Sequence, residues 1–259
     1  GHAPAKAALA AVLAALPESL LRDAARRQAK LARPGGWDHW VRATSACAMA
    51  ALLGIGPADL DDQRQLLARL QTLARALAAG ATADQLEAAD AACAALLHQL
   101  GGDAALARLD DGLANRLAQL WQSYEAGAAL LGQGLVALLE QSERRQPGRV
   151  AEWLPELFRQ PGVILNTRRF ARVEVRIGAV QLQPGDGLLL RLQGEHQQGF
   201  GHGAHQCPGQ RIAMTVATTA LEMLLAGDER VLWPERWQFL TLPNARIPHQ
   251  FETPENPAP

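Results

Sequence analysis

Five alanine- and leucine-rich runs, each closed by glycine or proline, fill most of the first 141 residues and leave no room there for a sheet. Residues 5–31 carry apolar side chains at helical spacing and stop at Arg33-Pro34-Gly35-Gly36. Residues 38–53 stop at Gly54-Ile55-Gly56-Pro57, residues 59–78 at Gly80, and residues 82–100 at Gly101-Gly102. Residues 103–141 form one longer helical stretch. Its middle, residues 125–134, is crowded with small side chains that admit a close neighbour: another helix in the ordinary case, a flat ligand in the other.

The pattern changes after Pro147-Gly148. Residues 150–160 read as a short amphipathic helix. Alternation of apolar and polar residues then predicts strands at 173–177, 180–183 and 188–192, with turns at Gly178-Ala179 and Pro184-Gly185-Asp186-Gly187. A Gly/His-rich loop fills 194–209, a helix follows over 210–226, and 231–251 reads as short strands and loops. The expected architecture is mainly α, one domain over 1–252 with a small β hairpin or sheet element in its C-terminal half, and a disordered tail over 253–259.

Composition excludes several classes. With 25 Lys+Arg against 26 Asp+Glu the net charge is −1, so no positive field draws the chain to nucleic acid or anionic lipid. The longest uncharged stretch, residues 43–58, falls short of the roughly 20 residues a bilayer span needs. Cys47, Cys93 and Cys207 are odd in number and widely spaced, which is no disulfide framework and suits the cytoplasm. The chain opens Gly1-His2 rather than with Met, which leaves room for a removed targeting segment.

Chemistry concentrates in one loop, Phe200-Gly201-His202-Gly203-Ala204-His205-Gln206-Cys207-Pro208-Gly209. A cysteine just before a helix meets unpaired backbone N–H groups and the positive end of the helix dipole, and both favour thiolate over thiol. Gly203 and Gly209 let such a loop lie flat, and Phe200 keeps the sulfur dry. Two plainer readings stay open at this point. One is a buried free cysteine. The other is a zinc site made from His196, His202, His205 and Cys207, although their spacing matches no familiar finger.

The pattern Phe-x-x-Gly-x-x-x-Cys-x-Gly resembles the cysteine signature of the cytochrome P-450 family. The resemblance extends unevenly over residues 15–250. Glu156-Leu157-Phe158-Arg159 is similar to the family's Glu-x-x-Arg pair, a structural element behind the haem. Thr167-Arg168-Arg169-Phe170 and the following hairpin resemble its next strands. The resemblance implies haem b (iron protoporphyrin IX) as cofactor, with Cys207 on the iron. It implies Arg169, or Arg168 as fallback, together with His205 on the propionates, and Phe200, Gly201, Gly203 and Gly209 shaping the loop. The long helix resembles the family's distal helix, which places Glu125 at its acid, Ala126 at its alcohol, and Ala126, Gly127 and Ala129 along the haem-facing wall.

The departures from the family matter as much. Ala126 carries no hydroxyl to deliver a proton, a service typically worth 10²–10⁴-fold. A monooxygenase fed by dioxygen and two electrons is therefore disfavoured against a peroxide-driven or redox-neutral haem-thiolate oxidoreductase acting on a small apolar organic substrate. The chain lacks the family's N-terminal portion, including its main sheet and the helix that normally supplies a basic propionate contact. The first helices resemble the family's D and E helices, and a homodimer or second chain is expected to cover the gap; Trp37, Trp40, Trp233 and Trp237 are candidate contacts there, with core packing the favoured account for any one of them. The segment between the strands and the cysteine loop is shortened, so Arg191 or Arg211 is the available replacement for an arginine of the proximal cluster. A non-catalytic haem-binding or partner-binding subunit is the alternative, and a haem-free scaffold the lesser one.

Overall fold

The computed structural model describes residues 2–77, 80–101, 111–158, 162–192, 199–227, 231–240, 242 and 244–253. Six helices make most of the first half and its boundary: α1 (His2–Ala15), α2 (Glu18–Ala32), α3 (Gly36–Leu52), α4 (Leu60–Ala76), α5 (Ala83–Gly101) and α6 (Asp111–Glu140). A short α7 (Val150–Trp153), a 3-10 turn (Leu154–Phe158) and a last helix α8 (Gln210–Ala226) follow. The six strands pair only two by two and antiparallel: β1 (Asn166–Phe170) with β4 (Gly187–Arg191), β2 (Val175–Ile177) with β3 (Val180–Leu182), and β5 (Arg236–Phe239) with β6 (Pro248–Glu252).

The helices start and stop for local reasons. The run expected over 5–31 is two helices, because Pro17 sits at the N-cap of α2 in extended conformation and cannot continue α1. Asp59 caps α4 by accepting the Asp62 N–H at 2.9 Å. Thr82 and Gln85 satisfy each other's backbone N–H groups before α5, a reciprocal capping box. Arg145 reaches back to the Leu138 and Leu139 carbonyls and closes α6. The expected helix over 150–160 yields after one turn to 3-10 geometry, which begins beside Pro155.

At the centre lies α3, with Trp37, Trp40, Val41 and every residue from Ala43 to Ala50 buried, while Asp38, His39 and Arg42 stay partly open. It packs between α2 and α6, with α8 against α2, α3 and α6. Trp40, Leu120, Leu131, Leu135, Leu138, Leu154 and Leu221 are its fully enclosed neighbours in the main core. Trp37 lies in that core too, edge-on to Trp40 at 5.7 Å and stacked on Trp233 at 6.0 Å. Core packing, the favoured account of these tryptophans, holds for Trp37 and Trp40, which are buried; Trp233 and Trp237 are half-buried. Of the expected tail only Thr253 is described; residues 254–259 lie outside.

Candidate functional site

The loop before α8 closes on itself. The Cys207 N–H donates to the Phe200 carbonyl at 2.7 Å, and a 3-10 turn (Gly203–His205) is tied by Gln206 N–H to Gly203 O at 3.0 Å. Gly201 has φ +72° and a Cβ there would lie 2.6 Å from the His205 carbonyl oxygen, so no side chain fits. Gly203 also has a positive φ, +56°. Gly209 differs: its φ is −90°, and an added Cβ would make ordinary contact with Cys207 Sγ at 3.8 Å. Phe200 is half-buried against Phe158, ring centroids 4.5 Å apart, at the edge of the main core. His205 is exposed.

Cys207 is itself partly open. Burial pushes its thiol up, while the backbone N–H groups of Gly209 and Gln210 and the charge of Lys6 pull it down. The helix start contributes in the expected direction, toward thiolate, and desolvation works against it. Full deprotonation of such a thiol is the work of a coordinated metal. Pro208 lacks an N–H, and the two donors to the sulfur come from the residues after it.

α1 also reaches the cysteine loop: its Lys6 Nζ donates to the Ala204 carbonyl. Arg211 spends one nitrogen on the Leu13, Ala14 and Leu16 carbonyls at the end of α1, at 3.0, 3.2 and 2.7 Å, so it is not a member of the proximal acid–base cluster. Glu156 pairs with Arg144 at 2.9 Å, and Arg144 also lies over the Trp153 ring at 5.0 Å. Arg159, its expected partner, lies outside the described residues. Glu222 of α8 accepts the Gly148 and Val150 N–H groups at 2.6 and 2.8 Å and fixes the start of α7 beside it.

On α6 the three expected distal residues point differently. Glu125 is half-buried; burial holds its carboxyl above the usual range and Arg42 of α3 draws it back. Tyr124 beside it is buried and hydrogen-bonds the same Arg42. Ala126 is exposed. Ala129 is wholly enclosed in the main core and presents no surface to a cleft, which corrects its expected place on a ligand-facing wall. Gly127 packs against the Ser45 side chain of α3, so its smallness serves a helix contact.

Arg168 and Arg169 are neighbours on β1 and therefore face opposite sides of the ribbon. Arg169 stands opposite the half-buried Leu188, whereas Arg168 stands opposite the exposed Leu189. Arg169 Nη1 donates to Thr167 Oγ1 at 2.8 Å and to the Arg168 carbonyl at 2.7 Å. Among the described residues no group of three or more His, Cys, Asp or Glu could hold a metal ion; His196 of the zinc alternative lies outside them.

No protein-family model matches the chain. It is 28% identical over 119 residues to cytochrome P-450 CYP105Q4 of Mycobacterium marinum, a stretch covering 35% of this chain and 29% of that protein. The sequence match thus spans less than a third of that relative. The structure is similar to CYP109B1 from Bacillus subtilis, with TM-score 0.70 and 16% identity over 93% of this chain and 80% of that one. It is also similar to P450BioI, solved in complex with an acyl carrier protein bearing hexadec-9Z-enoic acid: TM-score 0.69, 16% identity, 93% of this chain and 76% of that one. A third, P-450 260B1 from Sorangium cellulosum So Ce56, gives TM-score 0.63 and 21% identity over 84% of this chain and 68% of that one.

The chain has the cytochrome P-450 fold.

Within that P-450 fold the cysteine loop, the Glu156 turn, the β1–β4 ribbon and α6 are the elements singled out from the sequence. Lys6, Arg144 and Arg42 were missed, because each meets its partner only through folding. No helix of the described residues is long and apolar enough to cross a membrane.

Proposed function

We propose that this chain is a haem-thiolate protein of the P-450 type, an oxidoreductase for a small apolar organic substrate. The observation that carries the reading is the Cys207 sulfur: partly open, at the start of α8, with two backbone N–H groups turned toward it. Those features fit a thiolate ligand, because N–H donors offset the charge on sulfur while the open side remains for a metal. Bound haem b supplies oxidation chemistry at iron, and the protein supplies position and protons.

Cys207 would hold the haem iron, and the Gly201 and Gly203 turns shape the loop around the sulfur. Arg169 is the better propionate anchor of the two arginines, since its side of the ribbon is the more enclosed, and His205 is free to serve as the second. Glu125 binds or releases a proton at its carboxylate, with Arg42 restraining it. Ala126 can do neither, so a peroxide-driven or redox-neutral route is favoured over one that depends on an alcohol at that position. A non-catalytic haem-binding or partner-binding subunit is the second reading, and Ala126, with no group to deliver a proton, favours it.

The test is the absorption spectrum of haem-reconstituted protein, oxidised and then reduced under carbon monoxide. The expected result is a strongly red-shifted Soret band that disappears in Cys207→Ala. No haem uptake, or a band indifferent to Cys207, overturns the proposal. Peroxide turnover in Glu125→Gln, expected to fall by about 10²–10⁴-fold, separates an enzyme from a carrier.

A further inference from the structure

Tyr124 is the one tyrosine of the chain, and it is buried in the main core. A phenol oxygen is costly to enclose unless a partner meets it. Here the partner is Arg42, which crosses from α3 and hydrogen-bonds the Tyr124 hydroxyl. Glu125 comes next on α6, half-buried, and Arg42 acts on its carboxyl as a charge alone. The guanidinium thus gives its hydrogen bond to the neutral neighbour and withholds it from the carboxyl. The two helices are held close at this point, because Gly127 of α6 admits the Ser45 side chain of α3, and Ser45 lies one turn beyond Arg42.

Few charges bear on the pair. Arg42 faces Tyr124 and Glu125 from α3, and Arg75 faces Tyr124 from α4. Arg75 is exposed, so solvent screens it, whereas Arg42 is half-enclosed between the helices. A phenol that accepts from Arg42 occupies the guanidinium without cancelling its charge. A carboxylate in its place would form a charge-assisted pair, the stronger contact. A carboxyl so paired stays ionised and has no proton to give.

We propose that Tyr124 is a positioning residue for Glu125: by engaging Arg42 it keeps that arginine out of a direct ion pair with the carboxyl, which stays able to take up and release a proton. What the proton is for rests on the haem-thiolate reading; the coupling of the three side chains does not. Tyr124 passes no proton itself and acts through Arg42.

Carbon NMR of the full chain with isotope-labelled glutamate tests it without haem. The Glu125 carboxyl signal is the one lost in Glu125→Gln. Arg42→Gln is expected to move its titration midpoint up by about one unit, the reach of a close opposite charge. Tyr124→Phe is expected to move it down by about half a unit, as Arg42 turns to the carboxyl. The double variant is expected to titrate like Arg42→Gln alone. A merely structural tyrosine predicts the opposite sign, since phenylalanine leaves Glu125 a more apolar neighbour. An upward or absent shift in Tyr124→Phe, or a double variant unlike Arg42→Gln, overturns the proposal. Circular dichroism checks that each variant is folded. If Tyr124→Phe does not fold, ultraviolet titration of the lone tyrosine in Arg42→Gln decides: ionisation at higher pH than in the wild type is expected, and an unchanged phenol overturns the proposal. The carbon monoxide spectrum reports on Cys207 and not on these groups, so the two readings fail separately.

Discussion

Gly201 and Glu125 show how a single position constrains the site. At Gly201 both the positive φ and the nearby His205 carbonyl oppose a side chain. Gly201→Ala is expected to cost about 1–3 kcal/mol in denaturant unfolding and to impair haem uptake. Glu125 sets a pH dependence. Its carboxyl is raised by burial, so the fold holds the proton more readily than the unfolded chain does. The associated stability is fully present below the ordinary glutamate value of about 4.3 and is lost as pH rises through the higher folded value. Glu125→Gln keeps a neutral side chain, so its Tm should fall less with pH across that window; parallel curves would refute the assignment. The cysteine loop was legible in the sequence because its members lie within ten residues and their types are set by local geometry. Arg42 was not legible: it belongs to α3, and only the packing of α3 on α6 brings it to Glu125 and Tyr124. Nor could spacing show that Ala129 faces the core while Ala126 faces out, since both suit a helix crowded with small residues.

Helix cores were read closely and helix ends less so. The last helix was anticipated at 210–226 and is Gln210–Ala226, because Gly209 and Gly227 punctuate a strongly periodic run. The first run misled, since its apolar spacing continues across Pro17 and conceals the break. A buried polar network ties three helices in a way no periodicity announces. Gln63 of α4 donates to the Gln28 carbonyl at 3.1 Å and side-chain oxygen at 2.8 Å, and its own oxygen lies 3.0 Å from His39 Nε2. Gln28 in turn donates to the Pro57 carbonyl at 3.0 Å. Gln63 and Gln28 are essentially inaccessible. Gln63→Ala strands the Gln28 oxygens and the His39 ring together, and a loss of about 2–4 kcal/mol in urea unfolding is expected; a change under about 0.5 kcal/mol, usual for surface sites, would show the network to be dispensable.

The whole molecule joins a dense helical body to a thin basic arm, β1 to β4. Fold class was readable because helical and strand periodicities occupy separate halves of the chain. An uncovered surface was expected where the family's remaining sheet would pack, but which strands carry it was not legible, because the arm's alternation resembles that of any half-covered sheet. The tie between α1 and the cysteine loop spans 198 residues, from Lys6 to Ala204, and Arg211 reaches back as far to Leu13. On the ribosome, at about 5–20 residues per second, α1 waits some ten to forty seconds for the helix that receives it. That tie thus closes only after nearly two hundred further residues have been made, and until then the apolar side of α1 is what a nascent-chain chaperone would meet.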